Sequence, residues 1–383
     1  MHESSMNNPR RIMRARTLSP LGDALGSVNN AGQRRMHVKK IRVGIIGTGG
    51  IAQWAHIPGY QKVEGVELVA FCDTNPTTLR EASQKFGVKK TYADYKKMLA
   101  AEKLDAVSVC TPNAVHAAPT VAALNAGLHV LVEKPIAMNA KEGRQMVAAA
   151  KKAKRILMVA FNSRWGAEVQ WLRRCVQSGM LGEIYYGEAV YMRRRGIPGW
   201  GVFVDKEMSG GGPLIDVGVH MLDLALFLMG HPKPRSAFGS AYCMFGKRTD
   251  MFAAWGQWDA KKFSVEDFGV GLVRFDNGAT LLVKASWAAN IGEEQHGVML
   301  MGSEAGLSTA PARIFREEQG SLVDVASTGL PKVDTYSEEI VQFVKAVRDG
   351  APSPVPGENG LMATQILDAI YQSAALGVEV AIN

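Results

Sequence analysis

Between Lys40 and Ala160 the chain repeats one pattern five times: a short run of β-branched and apolar residues, a turn, and a stretch with helical apolar spacing. The runs cover 41–46, 66–72, 106–110, 129–132 and 157–160. They are apolar at consecutive positions rather than alternate ones, as strands buried on both faces must be. The segments between them, such as 75–86 and 117–126, stop near Gly87 and Gly127, where a left-handed cap costs a glycine nothing. Strand and helix in alternation predict a doubly wound parallel sheet, an α/β Rossmann domain over roughly 37–160.

Past Phe161 the rhythm changes. One helix is expected near 169–178, then strands at 184–195, 264–275, 279–287 and 297–301, and two closing helices at 337–348 and 360–376. Phe275-Asp276-Asn277-Gly278-Ala279 reads as a tight hairpin, because Asn-Gly supplies the positive φ angles of such turns, so the second sheet is antiparallel. A chain of 383 residues exceeds the roughly 250–300 at which one core stops growing, and a second, α+β domain over 161–383 follows. Its last helix is expected to pack back on the first domain.

Charge and cysteine usage exclude several classes. The net charge is +8, but half of it lies in the first 35 residues, where Arg10, Arg11, Arg14, Arg16, Arg34 and Arg35 oppose only Glu3 and Asp23. The folded part is only mildly basic, so nucleic acid is not an expected partner. No run of about 18 uncharged apolar residues offers a membrane span. Cys72, Cys110, Cys175 and Cys243 are scattered without a Cys-x-x-Cys pair, which favours a reducing cytoplasm over a disulfide framework or a zinc cluster. Residues 1–36 are polar and aperiodic. They read as a disordered leader, and Met36, directly before the first strand, as the true start. Arg10-Arg11 lacks the apolar stretch of a twin-arginine signal, although the Arg-rich, acid-poor composition also resembles a transit peptide.

Four motifs carry chemistry. Gly47-Thr48-Gly49-Gly50-Ile51-Ala52 follows a strand and opens a helix, as a dinucleotide-binding turn requires: Gly47 makes the turn, Gly49 admits the pyrophosphate, and Ala52 allows close helix packing. A ligand-free glycine turn is the plainer alternative, and Pro58 interrupts the helix early. Asp73 stands about 20 residues further on at the end of the second run, where a carboxylate accepts both ribose hydroxyls and repels a 2′-phosphate, so NAD is expected over NADP. It equally suits a turn within Asp73-Thr74-Asn75-Pro76. Glu133-Lys134-Pro135 closes a parallel strand at the sheet edge where such folds bind ligands, and Lys134 would enter the nicotinamide crevice. Finally, Gly210-Gly211-Gly212-Pro213 leads into a helix on which Asp216, His220 and Asp223 form one polar stripe. Buried polar groups need partners or a task. A core histidine is the plainer reading of His220, and pairing it with His116 on a metal finds no further ligand at useful spacing, so no metal is expected.

The glycine turn, Glu133-Lys134-Pro135 and the Asp216-x-x-x-His220 helix, in this order, resemble the Gfo/Idh/MocA family of glucose-fructose oxidoreductase and inositol dehydrogenase relatives, over about 38–376. Thr111-Pro112-Asn113-x-x-His116 and Phe161-Asn162-x-Arg164 resemble the family's cofactor-side and substrate-side strand ends. The resemblance implies a Rossmann domain followed by a large, mainly antiparallel open sheet, with a sugar or inositol held between that sheet and the nicotinamide. It implies that Lys134 hydrogen-bonds the reacting hydroxyl, that His220 exchanges its proton, and that Asp216 orients the substrate or those two groups, with Glu133 on the cofactor side. Chemistry supports the division, since hydride departure requires the hydroxyl to lose a proton and histidine titrates near neutrality. Lys134, desolvated beside a cationic cofactor, is expected to have a lowered pKa, which leaves it as a second candidate for the immediate base.

Asn162, Arg164, Trp165, Arg194 and Trp200 are the remaining substrate-side candidates. Strand alternation sends Arg193 and Arg195 to one face and Arg194 to the other, so the Arg193–Arg195 run either grips an anionic group or forms a solvated strand edge. Trp200 and Trp165 could stack on a sugar or anchor a loop. The expected function is an NAD-dependent sugar or polyol dehydrogenase. The alternatives are an enzyme that keeps NAD bound and cleaves glycosides by transient oxidation, and a non-catalytic NAD-sensing regulator. An open sheet face needs covering, so a homodimer or homotetramer is expected.

Overall fold

The computed structural model describes residues 40–382. The expected leader, its paired arginines and the Met36 start lie outside the described residues. The first sheet holds six strands: β1 (Ile41–Ile46), β2 (Val66–Cys72), β3 (Lys90–Tyr92), β4 (Ala106–Val109), β5 (His129–Val132) and β6 (Leu157–Val159). All pair in parallel in the order β3-β2-β1-β4-β5-β6. Helices α1 (Ile57–Lys62), α2 (Pro76–Phe86), α3 (Tyr95–Ala101), α4 (Ala117–Asn125) and α5 (Ala140–Ala153) connect them. The unbroken apolar runs have the expected cause: every residue of β4 is buried. Sequence patterning misses β3 and α3, since β3 is three residues long with two of them exposed. Pro58 falls in the first turn of α1, directly after a π turn over Ala52–His56. A proline has no N–H to donate and its ring crowds the carbonyl four residues earlier, so the wider turn absorbs the misfit and the helix continues.

After α6 (Ala167–Gln177), the second sheet gathers β7 (Ile184–Met192), β8 (Pro234–Tyr242), β9 (Phe268–Phe275), β10 (Thr280–Ser286), β11 (Gln295–Gly302), β12 (Ala305–Thr309), β13 (Ala312–Glu318), β14 (Ser321–Val325) and β15 (Val380–Ala381). Its order is β14-β13-β12-β11-β7-β10-β9-β8-β15. Every neighbouring pair is antiparallel except β7 and β10, which run parallel at the centre. The sheet is therefore mixed. The β9–β10 hairpin turns on Gly278 at φ 88°, and the Asn277 side chain accepts the Ala279 N–H (3.2 Å). The strand expected at 264–275 is shorter and begins at Phe268; just before it the Asp267 backbone still bonds to Tyr242 and Trp287, while its carboxylate accepts the Phe245 and Gly246 N–H groups (2.6 and 2.7 Å).

The short α7 (Lys206–Ser209) and the long α8 (Val219–Met229) lie between β7 and β8, and α9 (Thr335–Asp349) and α10 (Gly357–Leu376) close the chain. Among the described residues one helical segment, Lys206–Met229, is long and apolar enough to cross a membrane, but 78% of its most apolar window is buried inside the protein, against β7 and β11. Helix α10 packs against β8 and β9 and also against α5 and β6. Its Asp368 accepts the Ala140 N–H at the start of α5 (2.7 Å), and its Ser373 hydroxyl accepts the Gly239 N–H of β8 (2.9 Å). The opposite face of the second sheet carries a row in register, Phe238, Leu272 and Leu282, of which Phe238 and Leu272 are exposed.

Candidate active site

The order of the first sheet reverses between β1 and β4, and such reversal opens a crevice beyond the carboxyl ends of the strands. Gly47 turns there at φ 87°, so close to β4 that a Cβ would lie 2.7 Å from the Cys110 carbonyl. At Gly49 and Gly50 a Cβ would meet nothing within 4 Å, which leaves bare backbone at the start of a helix, the usual cradle for phosphate. Ile51 lines the same cleft, whereas Ala52 and Thr48 are wholly buried. Thr48 instead donates its N–H (2.7 Å) and hydroxyl (3.1 Å) to Asp73 Oδ2, while Asp73 Oδ1 accepts the Asn75 N–H (2.8 Å). Asp73 thus ties the glycine turn to the end of β2, with lone pairs left for further donors, and Asn75 caps α2. A bare glycine cradle with an acceptor beyond the neighbouring strand fits a dinucleotide. Gly49, Gly50 and Asp73 are the residues that would hold one.

Thr111, Pro112, Asn113 and His116 border this crevice. The Asn113 amide donates to the Ser209 carbonyl (2.8 Å), which joins the loop after β4 to the segment before α8. His116 is buried with Nδ1 2.8 Å from the Pro135 carbonyl and Nε2 2.8 Å from the Thr111 carbonyl, so neither ring nitrogen is free for a metal. Burial lowers its pKa.

Lys134, Asp216 and His220 meet in the same cavity, of about 620 Å³. Lys134 Nζ donates to Asp216 Oδ1 (3.0 Å) and to the Asp216 carbonyl (2.9 Å). Fully buried Trp287 donates its indole N–H to Asp216 Oδ2 (3.0 Å). Burial pushes the Asp216 pKa up, but Lys134 and Arg193 outweigh it and hold the carboxyl below its usual range. His220 is pulled down to about 3, first by burial and then by Lys134, so the imidazole is neutral. Beneath them Glu133 Oε2 accepts the N–H of Lys134 (3.0 Å), and Oε1 lies 2.8 Å from His56 Nε2. His56 Nδ1 lies 3.2 Å from the Ser108 hydroxyl, itself 2.8 Å from Tyr60 Oη. This buried polar chain fixes the backbone that carries Lys134, and His56 with Lys134 holds Glu133 below the usual carboxylate range against the push of burial.

The predicted polar stripe divides. A π turn over Leu214–Gly218 precedes α8, and it leaves Asp216 and His220 facing the cavity while Asp223 faces the core. Such turns recur at functional sites because they re-aim side chains within a continuous helix. The Glu266 carboxylate closes the helix start by accepting the Gly212 (2.9 Å) and Leu214 (3.2 Å) N–H groups.

On the substrate side Asn162 and Trp200 line the cavity, with the Asn162 amide donating to Thr335 Oγ1 (3.1 Å). Three expectations are corrected. Arg164 lies outside the cavity, buried in a two-point pair with Asp223 (Nε to Oδ2, 2.7 Å), because a guanidinium so desolvated needs its carboxylate more than a substrate. Trp165 packs against the core. Arg194 is exposed, with its N–H donating to Glu294, and strand alternation brings Arg193 into the cavity instead. Tyr191, Trp54 and Tyr336 also line it, unannounced by any local motif. Tyr336 stands on α9, far along the chain, and only the fold brings it near.

Both halves of the chain resemble known proteins. Residues 41–161 match the oxidoreductase family with NAD-binding Rossmann fold, GFO/IDH/MocA, and residues 169–308 match the GFO/IDH/MocA C-terminal domain. The chain is 37% identical over 341 residues to D-glucoside 3-dehydrogenase of Escherichia coli K12, covering 89% of this chain and 97% of that one. It is 28% identical to myo-inositol 2-dehydrogenase of Thermotoga maritima, covering 84% and 93%. An oxidoreductase domain protein from Kribbella flavida shares the fold at a TM-score of 0.79 and 23% identity, covering 90% and 100%.

Proposed function

Because the chain belongs to the Gfo/Idh/MocA family of oxidoreductases, we propose that it oxidises a ring hydroxyl of a sugar or glycoside with NAD, and that Lys134, Asp216 and His220 do the proton chemistry. The observation that carries the reading is the ion pair of Lys134 with Asp216 beside a neutral His220, in a cavity that continues into the glycine cradle. The nicotinamide supplies the hydride acceptor. Lys134 donates to the reacting hydroxyl oxygen and stabilises negative charge there as the proton leaves. His220 takes that proton on a ring nitrogen. Asp216, braced by Trp287, keeps the ammonium aimed and the imidazolium stabilised. Sugar or glycoside is preferred over inositol on the strength of the relative at 37% identity.

We assign the cofactor to residues 37–160 and the substrate face to residues 161–383. NAD is chosen over NADP because the Asp73 carboxylate would oppose a 2′-phosphate. A homodimer or homotetramer through the Phe238, Leu272 and Leu282 face is part of the proposal. So is a reducing cytoplasm, which accords with four free cysteines, one of them exposed. The test is incubation with NAD or NADP and a panel of aldoses, glycosides, uronates and inositols, following NADH or NADPH absorbance with product analysis by mass. Oxidation of a sugar or glycoside by NAD is expected. Glycoside cleavage without net NADH would replace this reading.

A further inference from the structure

We propose that the substrate cleft continues into an outer subsite formed by Trp200 and Trp255, which takes the second pyranose ring of a disaccharide or longer glycoside; this rests on the dehydrogenase reading above. Trp200 lines the cavity and is 54% exposed, and Trp255 is 40% exposed. Their rings stack 5.8 Å apart at 19°. Inward of them the Arg193 guanidinium lies 3.9 Å from the Trp255 ring centre and 5.2 Å from that of Tyr191. Tyr191 and Arg193 border the cavity with Asp216. The pile Tyr191, Arg193, Trp255, Trp200 therefore leads from the reacting centre outward.

The pile is held in place. Gly199 donates its N–H to the Trp255 carbonyl (3.1 Å), and a Cβ on Gly199 would lie 2.5 Å from the Gly256 carbonyl carbon, so the two loops are pressed together. Trp258 fastens the second loop by donating its indole N–H to the Gly246 carbonyl (2.6 Å). Among the described residues the indole N–H groups of Trp200 and Trp255 have no such acceptor. Two indoles fixed in place yet left to water, with free donors and a stacked guanidinium behind them, suit a ring with an apolar C–H face and a hydroxylated edge. A pyranose has that character. Continuity with the cavity puts it on the same molecule as the ring being oxidised.

The experiment compares kcat/KM for a methyl glycoside and for a disaccharide with the same reacting sugar, in the unmodified protein, Trp200→Ala, Trp255→Ala and Trp200→Phe. The disaccharide should be favoured about tenfold, chiefly through KM, since one stacking interaction approaches that size. The preference should collapse towards unity in both alanine variants and persist in Trp200→Phe, which keeps a stacking face. Equal use of both substrates by the unmodified protein, or a preference unchanged in both alanine variants, overturns the subsite and leaves the dehydrogenase intact. No turnover of any saccharide by the unmodified protein overturns the dehydrogenase reading itself.

Discussion

In the proposed reaction, single residues decide which proton moves and which cofactor enters. Because His220 is pulled to about 3, it stays neutral through the working range, and kcat/KM for oxidation should show no acid limb near the unperturbed histidine value of about 6.5. A limb centred there between pH 5 and 9, lost on His220→Gln, would contradict that environment. The linkage has the same sign for stability. The unfolded chain protonates His220 below about 6.5 while the folded one resists until about 3, so stability is lost as pH falls between those values. The lowered Asp216 carboxyl adds a further loss as pH falls through its folded pKa. Lys134→Ala and His220→Ala should each cut turnover at least a hundredfold with NAD affinity, read by fluorescence titration, nearly unchanged, since both serve the hydroxyl. Asp73→Ala should weaken NAD and narrow discrimination against NADP. Its bonds to Thr48 mean the glycine turn loosens as well, so affinity for both cofactors is the quantity to measure.

Elements show how the site was legible and where it was not. The glycine turn, Lys134 and the Asp216–His220 helix stood out because each couples chemistry to a local signal: a turn, a strand end, a helical spacing. Arg164 misled because its neighbour Asn162 does border the cavity, and nothing local reveals that Asp223, 59 residues on, claims the guanidinium. Arg193 could be told from Arg194 only by knowing which face of β7 is covered. Strands β12 to β14 escaped for a related reason: β13 buries one side chain of seven, so its pattern carries no apolar period. The Arg164–Asp223 pair clamps the 3-10 turn Asn162–Trp165 to α8, and both side chains are almost wholly buried. Removing one partner, as in Asp223→Ala, should destabilise the protein by about 3–5 kcal/mol in denaturant unfolding, whereas replacing both by apolar residues of similar volume should cost much less. Equal losses in the single and double variants would mean the pair is not the clamp.

At the scale of the whole molecule, the face of the second sheet away from α6, α8 and α10 keeps large apolar side chains in contact with water. A dimer or larger mass is expected from light scattering at micromolar concentration, and Leu272→Arg, beside Phe238 and Leu282, should shift it towards monomer. Five of the six strands of the doubly wound half were readable from strand rhythm alone, β3 being the exception. The mixed centre of the larger sheet was not, because β7 and β10 pair in parallel across more than eighty intervening residues. Helix α10 has a consequence for anyone who would recombine this chain with a relative. It comes last in sequence yet caps α5 of the first domain through Asp368, braces β8 through Ser373, and reaches Glu266, at the start of the helix that carries Asp216 and His220, through Tyr371. A chimera joined after β6 would therefore import a foreign α10 against a native α5. The unit that transplants cleanly is the second half together with the surface of α5 that receives it.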